Sequence, residues 1–313
     1  DQLDRNGEME TLIRKIDGFC KTFDGNLILN GDDPNTARLG RANPENKNVK
    51  YFHAKPYAFA TEKIFEASEG RFCPFCGEAL EYEYYQYSHI GKFLCGKCGF
   101  GDWQPYVTAE NIDLEKPEFT VDGHTYSPKL NSIYNVYNMT AVAAAAKLHG
   151  IDGKIVDDVI SNYTVKNGRM ENFMLRDRKT TLNLAKNPVG ANMTLRVMNE
   201  MQGEKELLFV LNDNVADGLD VSWIWDINFS IFERVTRVVT SGTRAYDIAV
   251  RIKCSGYDAA KIVVRPDLDE AVAELASTDG RKFVIANYTA VQPTRSALKR
   301  YIEKNGGQTD ESN

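Results

Sequence analysis

Apolar residues recur at helical spacing through Met9, Leu12, Ile13, Ile16 and Phe19, which predicts an amphipathic helix over 9–23. Asn26-Leu27-Ile28-Leu29-Asn30 then reads as a short buried strand, stopped by the turn Gly31-Asp32-Asp33-Pro34. Val49-Lys50-Tyr51-Phe52 predicts the next strand. Further strands are expected at Phe119-Thr120-Val121 and Thr125-Tyr126, joined through the hairpin signal Asp122-Gly123. An alanine-rich helix is expected over 138–149, with Gly150 closing it. Beyond Phe173 the pattern becomes regular. Strands are expected at 181–185, 207–212, 237–240, 261–264 and 283–286. Between them Ala245, Ile248, Ala249 and Ile252 share one helical face, as do Leu268, Val272 and Leu275. Asp267 and Glu270 have the spacing of a capping box at the start of the second helix. Apolar strands alternating with helices predict a mainly parallel sheet covered on both faces.

The 313 residues suffice for two domains of ordinary size. A hydrophobic fraction of 42% and an aromatic fraction of 11% are those of a globular chain. The net charge of −6 supplies no basic footprint for nucleic acid. No run approaches the ~20 apolar residues of a membrane span. The opening residues, Asp1-Gln2-Leu3-Asp4-Arg5, lack an initiator methionine and read like the middle of a longer chain.

The segment 69–103 differs in character from its surroundings and reads as an insertion. Cys73 and Cys76 form one C-x-x-C pair, Cys95 and Cys98 another, with eighteen residues between them. That spacing predicts a zinc ribbon. Four thiolates close a tetrahedral shell and leave no position for water or substrate, so the Zn2+ is expected to be structural. Gly77, Gly96 and Gly99 supply the turns of the two knuckles. His89 lies between the pairs and is expected on the surface, not as a ligand. Glu78, Glu81, Glu83 and a run of tyrosines separate the pairs, which disfavours nucleic-acid binding by the ribbon. Cys20 and Cys254 are expected to be buried small hydrophobes. Such cysteine usage fits a reducing cytoplasm better than a secreted disulfide framework.

Several stretches together resemble the Mur ligases. Asp1-Gln2-Leu3-Asp4-Arg5-Asn6-Gly7 resembles their DHLDRHG, and Leu29-Asn30-Gly31-Asp32-Asp33-Pro34 their NADDP. Tyr134-Asn135-Val136-Tyr137-Asn138 followed by alanines resembles N-x-x-N-x-x-A-A, and Asn167-Gly168-Arg169-Met170-Glu171 resembles GRxE. The cysteine ribbon, Leu184-Ala185-Lys186-Asn187-Pro188 and Asp217-Gly218-Leu219-Asp220-Val221-Ser222-Trp223 look specifically like the MurT branch. That branch supplies the synthetase subunit of a glutamine-hydrolysing lipid II isoglutaminyl synthase.

The resemblance implies an α/β fold: a partial Mur ligase-like central domain over 1–172 carrying the ribbon, a Rossmann-like C-terminal domain over 173–304, and a flexible tail over 305–313. It implies ATP-dependent amidation of the α-carboxyl of the second-position D-glutamate in the lipid II stem peptide, in complex with a GatD-like glutaminase. The site would be cytoplasmic, at the inner face of the membrane. ATP and Mg2+ are the implied cofactors. Asn138 would bind adenine and Arg169 the phosphates. Asn183 falls in the ribose-binding slot and Lys186 in a histidine slot, both with altered residue types. Asp220 matches the carboxylate lent to the glutaminase to complete a Cys-His-Asp triad. The G-x-x-G-K-[ST] loop that would cradle phosphates does not occur here, so the sequence reads as lacking on the order of a hundred N-terminal residues. A Mur-like ligase adding an amino acid and a non-catalytic zinc-ribbon module are the rival readings. Trp223 and Trp225 could form a partner-facing surface, but core is the expectation, and Asn135 is either a helix cap or a ligand contact.

Overall fold

A computed structural model describes residues 9–62, 70–129, 132–163, 170–305 and 307–309. Two compact units divide the chain, Met9–Thr164 and a second that takes it up from Val165. No helix among the described residues is long and apolar enough to cross a membrane.

In the first unit α1 (Met9–Cys20) turns Ile13 and Cys20 into a small core with Leu29 and Leu39. A five-stranded sheet follows the order β1 (Leu27–Asn30), β2 (Val49–Ala54), β5 (Val107–Asp113), β6 (Glu118–Val121), β7 (His124–Tyr126). The first three strands run parallel, and β5, β6 and β7 form an antiparallel meander. Asp122 and Gly123, with φ of 51° and 78°, make the expected tight turn between β6 and β7. The short α2 (Pro34–Ala37) follows β1 and is capped by the Asp33 carboxylate. The alanine-rich helix α3 spans Ile133–Leu148 and begins five residues before its expected start, with Ser132 as N-cap. Ala143, Ala144 and Ala146 are buried on it, which lets α3 lie close across β1, β2 and β5. A second helix, α4 (Gly153–Asn162), is capped by Asp152. The inserted hairpin pairs β3 (Glu81–Tyr87) with β4 (Ile90–Leu94).

The second unit is a seven-stranded sheet in the order β12 (Ile262–Val264), β11 (Val235–Ser241), β10 (Lys205–Val210), β13 (Arg281–Ala286), β9 (Arg178–Leu184), β8 (Glu171–Leu175), β14 (Gly307–Thr309). β12 to β9 are parallel as expected, while β8 and β14 add two antiparallel strands at one edge. Gly307–Thr309, within the segment expected to fray, pair with β8. Alternation along β10 divides the core. Leu208 and Val210 face α7 (Leu268–Ala276) and α8 (Tyr288–Asn305). Leu207 and Phe209 face α5 (Pro188–Glu200) and α6 (Ala245–Cys254). Both faces are therefore covered by helices, as continuous apolar strands require. The capping expectation for α7 is met on one side: Asp267 accepts a hydrogen bond from the Glu270 amide at 2.9 Å.

Candidate functional site

The two C-x-x-C pairs fold as matching knuckles. The Gly77 amide donates to the Cys73 carbonyl and the Gly99 amide to the Cys95 carbonyl, both at 2.9 Å. Gly77 and Gly99 have φ of 74° and 67°, which an L side chain rarely adopts. Gly96, expected to share this role, does not take a left-handed conformation. The four Sγ atoms lie within 4.8 Å of one another, with 3.5 Å separating Cys73 from Cys98 and Cys76 from Cys95. Sulfurs about 2.3 Å from a tetrahedral zinc stand about 3.8 Å apart, so this donor set fits the ion. Cys73 and Cys95 are buried against Leu80, Phe93 and Phe100, while Cys98 meets solvent. An ion held by all four thiolates would be structural, since four protein ligands leave no gap for a reactant. Cys20 is buried as expected, but Cys254 is exposed.

The ribbon is built into the first sheet rather than appended to it. Tyr84 donates to the Ala54 carbonyl at 2.7 Å, and the Gln86 amide nitrogen reaches the carbonyls of Ala54 and Lys55 at 3.1 and 2.7 Å. His89 is not a surface histidine. Its Nε2 lies 3.2 Å from an oxygen of Asp33 in the turn after β1. Burial would raise the Asp33 pKa, but the hydrogen bonds with His89 and Thr36 hold it below the usual carboxylate value. The neighbouring Asp32 is fully buried and receives three donors: His53 Nδ1 at 2.7 Å, the Ala54 amide at 2.9 Å and the Tyr137 hydroxyl at 2.7 Å. Trp103, at the end of the ribbon, donates from its indole to His53 Nε2 at 2.9 Å. Burial and the Asp32 charge push the Tyr137 phenol well above its ordinary pKa, so it remains a donor. His53 carried no motif in the sequence, and nothing in spacing alone pointed to this network.

Among the residues assigned by resemblance to nucleotide, Asn138 is exposed on α3, one position beyond the buried Tyr137. Asn135 is not the cap of that helix; its side chain donates to the hydroxyl of the cap, Ser132, at 2.7 Å. Arg169 and the stretch Asp1–Gly7 lie outside the described residues. In the second unit Asn183 sits buried on β9. It donates to Thr194 at 2.6 Å and accepts from the Met170 amide at 3.1 Å. Lys186 is exposed just past the carboxyl end of β9. Asn187 caps α5 through the Gly190 amide at 2.8 Å.

Asp220 occupies an exposed loop beyond the carboxyl end of β10, immediately before the 3-10 turn Ser222–Asp226. The Ser222 amide donates to Asp220 Oδ1 at 2.7 Å. Hydrogen bonds from the hydroxyl and the amide of Ser222 hold the Asp220 carboxyl below its ordinary pKa. The carboxylate lines a concavity of about 460 Å³ together with Leu219, Trp225, Tyr246 and Val250. Those four apolar side chains are 66%, 55%, 66% and 52% exposed. The tryptophans therefore divide: Trp223 packs against the core as expected, whereas Trp225 faces outward with the Arg251 guanidinium 5.5 Å from its ring centroid. Asp217 is buried in the fold, accepting from the Thr289 amide at 2.8 Å at the start of α8.

Comparison with known proteins accords with this architecture. Residues 184–291 match the family model "MurT ligase C-terminal". The chain is 32% identical over 312 residues to the subunit MurT of the glutamine-hydrolysing lipid II isoglutaminyl synthase of Staphylococcus aureus strain COL, covering 99% of this chain and 70% of that protein. The corresponding subunit of Streptococcus pneumoniae is 31% identical over 310 residues, covering 95% of this chain and 67% of that protein. Among solved structures, a pseudomurein peptide ligase type C from Methanothermus fervidus superposes with a TM-score of 0.71 at 22% identity, covering 96% of this chain and 61% of that one. MurF from Acinetobacter baumannii gives a TM-score of 0.63 at 15% identity, covering 96% of this chain and 57% of that one. These two likenesses establish a shared fold, and the chain spans about 61% and 57% of those structures. A fold built on the Mur ligase plan, and 31–32% identity in alignments that cover 95–99% of its length, place the chain in the MurT family.

Proposed function

We propose that this chain belongs to the ATP-dependent synthetase subunit of a glutamine-hydrolysing lipid II isoglutaminyl synthase. The identity of 32% across 99% of the chain to a relative of that name carries the reading. The reaction amidates the α-carboxyl of the second-position D-glutamate of the stem peptide. The carboxylate takes the terminal phosphoryl group of ATP, and ammonia released from glutamine then displaces phosphate. A glutaminase partner supplies the ammonia. Asn138, Arg169, Asn183 and Lys186 are the residues proposed to hold ATP, with Mg2+ neutralising its phosphates, and the zinc stays structural in the ribbon.

Asp220 is the carboxylate proposed to complete the partner's Cys-His-Asp triad. A triad's third member orients the histidine and stabilises its cation, and a second chain can provide it. The exposed, ionised Asp220 at the rim of an apolar concavity supports that role, since a partner seated on Leu219, Trp225 and Tyr246 would desolvate the carboxylate. Neither a ligase that adds an amino acid nor a non-catalytic ribbon module has a use for such a group.

The test is amidated lipid II formed by the full-length complex with glutamine and, separately, with ammonium. Asp220→Asn is expected to lower the glutamine-dependent rate by about a hundredfold or more, with far less effect on the ammonium-dependent rate. Asp226→Asn, a neighbouring exposed carboxylate, serves as control. Normal glutamine hydrolysis by Asp220→Asn, or equal failure with both nitrogen sources, removes Asp220 from the triad.

A further inference from the structure

Trp103, His53, Asp32 and Tyr137 form a chain of hydrogen bonds whose direction is fixed at every link. An indole nitrogen only donates, so His53 Nε2 must accept from Trp103. The ring proton therefore sits on Nδ1, and it is donated to Asp32 Oδ1 at 2.7 Å. Asp32 Oδ2 in turn accepts from Tyr137 at 2.7 Å. One end of this chain lies in the metal ribbon. Trp103 stacks on Tyr51 at 4.2 Å and meets Phe93 and Phe100 edge-on, in the cluster that buries Cys73 and Cys95. The other end is on α3, one residue before Asn138.

The backbone beneath the chain is shaped to admit it. A Cβ at Gly31 would lie 2.4 Å from His53 Nε2 and 2.8 Å from Trp103 Nε1, so only glycine leaves room for the pair. Asp32 has no solvent exposure, and the Ala54 amide adds a donor to the Oδ2 that Tyr137 reaches. A buried carboxylate held by three donors is a stiff junction, because loss of any donor exposes the charge to an apolar surround.

We propose that Trp103, His53, Asp32 and Tyr137 are positioning residues that tie the zinc ribbon to α3 and so set where Asn138 meets the nucleotide. The metal thus acts on ATP affinity without touching ATP. The inference rests on the reading of Asn138 as an adenine contact, and its test separates the two.

The full-length complex is prepared with histidine ring nitrogens labelled, as wild type, Trp103→Phe, Tyr137→Phe and Asn138→Ala. The KM for ATP and kcat are measured in ammonium-dependent amidation, alongside zinc content and the ring nitrogen shifts of His53. Trp103→Phe keeps the stack on Tyr51 but removes the donor. It is expected to retain one zinc, shift the His53 Nε2 resonance as its donor is lost while Asp32 keeps the proton on Nδ1, and raise the KM for ATP about threefold to tenfold at nearly constant kcat. Tyr137→Phe leaves the ribbon intact and is expected to raise the KM similarly, with the His53 tautomer unchanged. Asn138→Ala should raise the KM without moving the His53 signals. If Asn138→Ala raises the KM while Trp103→Phe or Tyr137→Phe does not, the positioning role is overturned and the adenine contact stands. If Asn138→Ala leaves the KM unchanged, the adenine reading fails and takes the proposal with it.

Discussion

Gly31 shows how one residue records the arrangement around it. The Mur ligase motif NADDP has alanine at this position, and here the place of that methyl group is taken by the edge of the His53 ring and the Trp103 indole. Gly31→Ala is therefore expected to cost about 1–3 kcal/mol of stability, the usual range for overpacking a filled site. Denaturant unfolding of the holoprotein checks this, and a midpoint equal to wild type would mean that His53 and Trp103 give way freely. The clustering of the four cysteines was legible from sequence because each knuckle is local, two cysteines and a glycine within five positions. The Asp32 junction was not. Its partners are 21 and 105 positions away in sequence, and neither carries a periodic signature. The proposal for Asp220 rests on the motif around it, since an exposed aspartate in a loop has no pattern of its own.

Elements follow the same division. The strands β10 and β13 were readable from the apolar runs Leu207–Val210 and Phe283–Ala286, but each opens on two charged residues, Lys205-Glu206 and Arg281-Lys282, which fell outside the expected bounds although Lys205, Glu206 and Lys282 are buried. The helix α8 was hidden by its polar composition and by Pro293 within it. The antiparallel β8 was not expected: only its first residue, Glu171, belongs to the GRxE-like stretch, and Asn172–Leu175 carries no turn or alternation signal strong enough to mark a strand. At the start of α7 the Asp267 carboxylate satisfies the Glu270 amide, so Asp267→Ala is expected to cost about 1 kcal/mol. Thermal unfolding reads that change, and Asp269→Ala, exposed in the same first turn, is its control. In the ribbon, Cys73→Ser is expected to release about one zinc per chain and to unfold the hairpin β3–β4 before the rest. Metal analysis with hydrogen exchange of the hairpin amides checks it, and full zinc retention would contradict an all-thiolate shell.

At the scale of the molecule, alternating strands and helices gave away the doubly covered parallel sheet but not its limits. Its central strands carry a buried ion pair. Lys282 and Glu206 stand opposite each other on β13 and β10, 2.8 Å apart, with the Lys282 side chain wholly shielded from solvent. Removing one partner strands a charge, so Lys282→Ala is expected to lower stability by about 3–5 kcal/mol, measured by denaturant unfolding. A loss below about 1 kcal/mol would show that water reaches Glu206. The edge made by β14 has a practical consequence. Those three residues, Gly307–Thr309, cover the outer hydrogen-bonding side of β8. Shorten the chain to Asn305 and β8 presents bare amides and carbonyls that a second molecule can pair with. A truncated preparation should accordingly become cloudy on concentration while its melting temperature barely moves, so turbidity will report the missing strand where calorimetry does not.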